Sequence, residues 1–198
     1  ELGFEPYKKI GIHTLPAINC KKTSLGFVTR PAPSGTQTAA ASSSEFFCNF
    51  SEFNNNTHYL IYKTIKELFS KNKIPIMLGG EHSITYGAVK AANESFKNLS
   101  VLQLDAHSDL RDSYHGSKFN HACAMRRVRE MCPAVQVGIR SQDIEEVVFL
   151  KQNKLMNTIF YAESFSDAKI NKIVNQLSRN VYITIDVDVF DPSIMPAT

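Results

Sequence analysis

The sequence predicts an α/β fold built on a parallel sheet buried on both faces. Three observations carry this. From Thr57 onward, short apolar runs alternate with helically spaced segments, the order of strand–helix–strand units. The runs are continuous rather than alternating, as in Val101-Leu102-Gln103-Leu104 and Val181-Tyr182-Ile183-Thr184-Ile185, which suits strands covered on both sides. The chain of 198 residues is long enough for one core, and it carries no internal repeat.

The elements follow in order. Residues 1–56 are irregular, with two short apolar stretches, Lys9–Thr14 and Ser24–Thr29, as possible strands. Pro31 to Ser44 is rich in Pro, Ser, Thr and Ala, and 31–56 is read as a long irregular loop region. Ile61, Ile65 and Leu68 stand at i, i+4 and i+7, so a helix is predicted over about 57–71. Ile74–Leu78 is apolar and stopped by Gly79-Gly80, and reads as a buried strand. Helical spacing returns over about 84–97, followed by a strand at 101–104 and a helix over about 121–131. Ala134–Ile139 is the next strand, and Ile144, Val147 and Val148 mark the next helix. Thr158–Tyr161 is a strand; Ile170, Ile173, Val174 and Leu177 mark a helix; Val181–Ile185 is the last strand. All of it is read as a single domain, 1–198.

Composition narrows the functional class. Hydrophobic residues make up 43% and charged residues 21%, which excludes collagen-like, disordered and coiled-coil chains. A net charge of +3 is too weak to argue for nucleic acid or a membrane surface. No apolar run is long enough to cross a bilayer. The cysteines Cys20, Cys48, Cys123 and Cys132 form no CxxC or zinc spacing, so free thiols in a cytoplasmic protein are expected.

In parallel sheets ligands bind beyond the carboxyl ends of the strands. There this chain carries Glu81-His82-Ser83, then Asp105-Ala106-His107-Ser108-Asp109, then Asp186-Val187-Asp188. Two imidazoles and four carboxylates, His82, His107, Asp105, Asp109, Asp186 and Asp188, therefore stand at one sheet edge. Single Asp residues after strands commonly cap helices or start turns. All three segments at one edge are poorly explained that way. Four carboxylates in one cleft repel one another, and two divalent cations relieve the repulsion. Mostly oxygen donors with some imidazole suit Mn²⁺ better than a structural zinc site.

These segments resemble the ureohydrolases, the arginase/agmatinase family. Gly79-Gly80-Glu81-His82-Ser83 is similar to its GG-[DE]-HS segment, Asp105–Asp109 to its DAHxD segment, and Thr184–Pro192 to its [ST]-ID-x-D-x-x-DP segment. Val137-Gly138-Ile139-Arg140-Ser141 also resembles the family, so the likeness covers about 74–198. The resemblance implies a three-layer αβα sandwich and two Mn²⁺ per chain. Asp105 and Asp186 would bridge both ions, His82 and Asp109 would complete one, and His107 and Asp188 the other. It implies hydrolysis of a small guanidino substrate to urea and an amine, with agmatine (giving putrescine) the first guess. It also implies a homo-oligomer.

The family has a proton-shuttling histidine on the loop after DAHxD. Gly116–His121 fits the agmatinase-type pattern, which points to His121 rather than His115; His13 and His58 have no supporting context. A general acid is needed because an unprotonated amine leaves poorly. Cys123 reads as a packed small hydrophobe and Arg126, Arg127 and Arg129 as a solvated helix face. Arginases carry Asn where this chain has Arg111, which favours a substrate lacking the α-carboxylate. Arg111 could itself bind a carboxylate, as in guanidinobutyrate, so arginase and guanidinobutyrase activities stay open. The family's later Gly-rich segment and its guanidinium-binding glutamate are not found, so the chain reads as C-terminally incomplete. Two further readings are a one-zinc deacetylase-like hydrolase and a metal-binding fragment without activity.

Overall fold

The computed structural model describes residues 50–196, with side chains from Thr57 onward. The possible strands Lys9–Thr14 and Ser24–Thr29, most of the 31–56 loop region, Cys20 and Cys48 lie outside the described residues. The first helix, α1, spans Phe50–Ser70, seven residues longer at its start than the spacing predicts, so the end of the 31–56 stretch is helical. Its Ile61 and Ile65 bury against Ala88 and Ala91 of α2 (Thr85–Ser95). A Cβ at Gly87 would lie 2.5 Å from the His58 carbonyl oxygen, so glycine lets the two helices approach this closely.

β1 (Leu99–Leu104), β2 (Ala134–Ile139), β3 (Ile159–Tyr161) and β4 (Asn180–Ile185) form one parallel sheet in the order β3-β2-β1-β4. Between them run α3 (Ala124–Arg129), α4 (Ile144–Gln152) and α5 (Ile170–Val174). α4 starts with a capping box, in which Asp143 and Glu146 each satisfy the other's end of the first turn. On one face, Leu99, Val101 and Ala134 join Val89, Met125 and Leu150 in the main core. On the other, Val135, Val137 and Phe160 pack with Ile173 of α5. Helices therefore cover both faces, and the αβα sandwich is present. Leu177 packs here as predicted, although α5 itself ends at Val174.

Two expectations are corrected. Ile74–Leu78 is not a strand, and its Ile74, Ile76 and Leu78 are exposed, Ile76 at 80%. A strand needs a partner for its backbone groups, and among the described residues none lies beside this segment. A groove of about 710 Å³ instead separates it from β4. The sheet is also not buried throughout. Val181, Ile183 and Ile185 of β4 remain exposed on the face that α5 covers elsewhere.

Candidate metal centre

The site is built where the sheet ends. Ladder pairing carries the chain up to it: Asp105 N donates to Val137 O at 3.1 Å and Asp186 N to Leu104 O at 2.9 Å. Beyond these residues the backbone turns. His107 N donates to Asp105 Oδ1 at 2.7 Å, and Asp109 adopts a φ of 51°, a left-handed conformation that Asp tolerates better than most residues. Asp188 N donates to Asp186 Oδ1 at 3.2 Å, and Asp188 Oδ1 accepts from Ala106 N at 3.0 Å.

Gly138, with φ +93°, closes this corner. A Cβ there would meet Val189 Cγ2 at 2.6 Å and Asp105 O at 3.1 Å. The absent side chain lets the turn after β4 lie over the end of β1. Arg140 then donates to the carbonyls of Asp188, Val189 and Phe190 and holds that turn in place.

The result is two compact sets of candidate ligands, His82–Asp105–Asp109 and Asp105–His107–Asp188, with Asp105 in both. His82 Nδ1 lies 2.6 Å from Asp109 Oδ2 and 3.3 Å from Asp105 Oδ2; His107 Nδ1 lies 2.8 Å from Asp188 Oδ2. Asp186, the sixth predicted ligand, lines the same cavity of about 480 Å³ but belongs to neither set. The donors are oxygen and imidazole, without thiolate, and they fit a hard or borderline divalent ion.

Electrostatics agree with that fit. Burial opposes charge on His82, but the hydrogen bond to Asp109 and the charges of Asp109, Asp105 and Asp186 outweigh it and raise its pKa to about 9. Burial, and then the Asp109 charge, push Asp105 well above the usual carboxylate range. The raised affinities of His82 and Asp105 for protons mark a site where cations would displace them.

His121 lines the same cavity. It opens a 3-10 turn, His121–Cys123, capped by Asn120, whose side chain accepts from Ala122 N at 3.0 Å. Glu81 Oε1 accepts from His121 N at 2.6 Å and lies 2.9 Å from His121 Nδ1. This hydrogen bond raises the His121 pKa despite partial burial. His115 packs its ring on Tyr114 at 4.1 Å and does not line the cavity. Cys123 is buried, and burial lifts its thiol pKa to about 11, which suits a packing role.

The solvated face expected of the α3 arginines is corrected. Arg127 is buried against Asp112 and Glu130, Arg126 lies 3.5 Å over the Phe149 ring, and Arg129 donates to Gln136 and Thr158. α3 is wedged between the site and the core, so its arginines find partners rather than water. Arg111 pairs with Asp143 at 2.7 Å.

Several residues around the site were not singled out from sequence: Glu81, Gln103, Gln136 and Thr184. The last three do leave a signal. Each is a polar side chain inside an apolar strand, and Gln103 is in register with Gln136 on one side and Thr184 on the other. Thr184 Oγ1 lies 3.2 Å from His82 Nε2.

Comparison with known proteins follows the same lines. The model of the arginase family matches residues 8–198. An agmatinase from Pyrococcus horikoshii is 45% identical over 139 residues, 69% of this chain and 47% of that protein. An N(1)-aminopropylagmatine ureohydrolase from Thermococcus kodakarensis is 41% identical over 141 residues, covering 70% and 47%. Among solved structures, the agmatine ureohydrolase of Thermoplasma volcanium superposes with a TM-score of 0.63 at 36% identity, covering 74% of this chain and 50% of that one. The chain thus spans about half the length of the curated relatives it matches. No helix among the described residues is long and apolar enough to cross a membrane.

Proposed function

We propose a function from one premise: the chain belongs to the arginase family. The proposed reaction is hydrolysis of a guanidino compound to urea and an amine, with agmatine the first substrate. One observation carries this reading, the two ligand sets sharing Asp105 in a cavity that His121 also lines.

In this reading His82, Asp105 and Asp109 would hold one ion, Asp105, His107 and Asp188 would hold a second, and Asp186, at the cavity wall, would serve as a further ligand. A Mn²⁺ pair, when bound, would supply a water of lowered pKa as nucleophile. The chain's own residues do the rest. The cavity's carboxylates attract a cationic guanidinium and its amine tail. Water adds to the guanidinium carbon, leaving one proton on a cavity carboxylate, and the bond from that carbon to the amine nitrogen breaks to give urea. His121, whose protonated form the Glu81 hydrogen bond favours, gives its proton to the departing nitrogen and takes one back from the hydroxyl of the forming urea.

Agmatine is favoured over carboxylate-bearing substrates because Asp143 engages Arg111. The names of the relatives point the same way. We further propose a cytoplasmic homo-oligomer; the buried free thiols of Cys123 and Cys132 suit a reducing compartment.

The test is urea release by the Mn²⁺-loaded chain on agmatine, arginine and guanidinobutyrate, with ion stoichiometry measured alongside. Urea from agmatine supports the proposal, and preference for another substrate replaces agmatine. Two ions without urea from any substrate make the chain a metal-binding unit without hydrolysis. One tightly held zinc points to deacetylase-like chemistry instead.

A further inference from the structure

A buried row of polar side chains runs from α3 across two strands to Asp105. Arg129 donates to Gln136 Oε1 at 3.2 and 3.0 Å through Nε and Nη2. Gln136 Nε2 donates to Gln103 Oε1, and Gln103 Nε2 donates to Asp105 Oδ2 at 2.7 Å. Both glutamines are fully buried, and β1 and β2 pair them in register. The two ends set the direction. A guanidinium only donates, so Gln136 must face its oxygen toward Arg129; its NH₂ then meets the Gln103 oxygen, which leaves the Gln103 NH₂ facing Asp105. Every donor therefore points the same way, from a half-buried guanidinium to a buried carboxyl group.

Such a chain is costly. An apolar core of equal volume is often as stable or more so. Among the described residues no carboxylate pairs with Arg129, and burial lowers its pKa to about 10. The benefit falls on Asp105. Gln103 takes up one oxygen and His107 N the other, at 2.7 Å each, which fixes the carboxylate plane and leaves one free lone pair on each oxygen.

We propose that Arg129, Gln136 and Gln103 are positioning residues that orient Asp105 as the ligand common to both ion sets. This rests on the dinuclear reading above. It adds that metal affinity is set in part by a guanidinium two amide side chains away.

The test uses the 198-residue chain with Gln103→Met, Gln136→Met, Arg129→Met, Arg129→Lys and, as a control, Thr158→Val. Mn²⁺ affinity is read by calorimetry, and the Asp105 carboxylate is located in crystals of the metal-free proteins. Loss of an outer partner of a metal ligand weakens binding about 10- to 100-fold, which is expected for Gln103→Met. Gln136→Met and Arg129→Met should weaken it less, Arg129→Lys should restore most of it, and Thr158→Val should leave it unchanged. In metal-free Gln103→Met the carboxylate should turn from its wild-type plane. Affinity within twofold of wild type for Gln103→Met and Arg129→Met, with Asp105 unmoved, overturns the proposal. If Gln103→Met does not fold, the Arg129→Met and Arg129→Lys pair decides. If wild type binds no Mn²⁺, the dinuclear reading falls, and the metal-free crystals still decide whether the chain orients Asp105.

Discussion

The two ligand sets that meet at Asp105 are built differently. On one side His82 and Asp109 have side-chain exposures of 6% and 10%; on the other His107 and Asp188 have 53% and 21%. The buried half sits against β1, β2 and the helices of the main core. The open half depends on the turn after β4, a strand that among the described residues has one unpaired edge and one exposed face. Packing preorganises the first half. The second is held by Arg140 on three carbonyls and by the space that Gly138 leaves. In the metal-free chain, order is therefore expected to fall from Asp105 outward to Asp188.

The largest effect on this contrast should come from Asp105→Ala. Each set then loses one of its three close ligands, so calorimetry should show both Mn²⁺ bound more weakly; full affinity at one site would mean that the halves do not share Asp105. His107→Ala is the next test. It should remove one ion and leave the buried one, and electron paramagnetic resonance would report the loss of spin coupling. Loss of both ions would mean that the halves act as one unit.

Stability should follow the same divide. Leu110, fully buried beside the His82 set, should lose about 2–5 kcal/mol on Leu110→Ala in denaturant unfolding. His58 lies in the buried half, between the rings of Tyr86 and Phe119 at 5.3 and 5.8 Å. Burial lowers its pKa to about 4. Between about pH 6.5 and pH 4 the unfolded chain binds a proton that the folded chain refuses, so stability falls as pH falls. The loss should be on the order of 2–3 kcal/mol, and His58→Gln should flatten it. On the open side, Ile183 is 57% exposed, and Ile183→Thr should change stability by no more than about 0.5 kcal/mol. A larger loss would show that β4 is covered in solution.

The ligand segments were legible in the sequence because they sit where chemistry and topology coincide. A carboxylate just past a paired strand lies at the sheet's carboxyl edge, which places Asp105 and Asp186; His82 joins them although the apolar run before it is not a strand. Asp105, His107 and Asp109 needed only the period of the strand before them. Ile74–Leu78 failed because an apolar run states that a segment can be a strand, whereas pairing depends on what lies beside it. Arg126, Arg127 and Arg129 failed for a related reason. Three arginines on a short helix look solvated until their partners, Asp112, Phe149 and Gln136, are brought in from elsewhere in the chain.

By itself, the sequence determined the fold class and the candidate ligand residues, because side-chain chemistry and strand periodicity are local properties. Tertiary structure alone decided which ligands share Asp105, that His121 rests on Glu81, and that Arg129 reaches Asp105 through two glutamines. Most of those contacts join residues far apart in the chain; the register of β1 with β2 brings Gln103 to Gln136, and the turns beyond the strands bring Glu81 to His121.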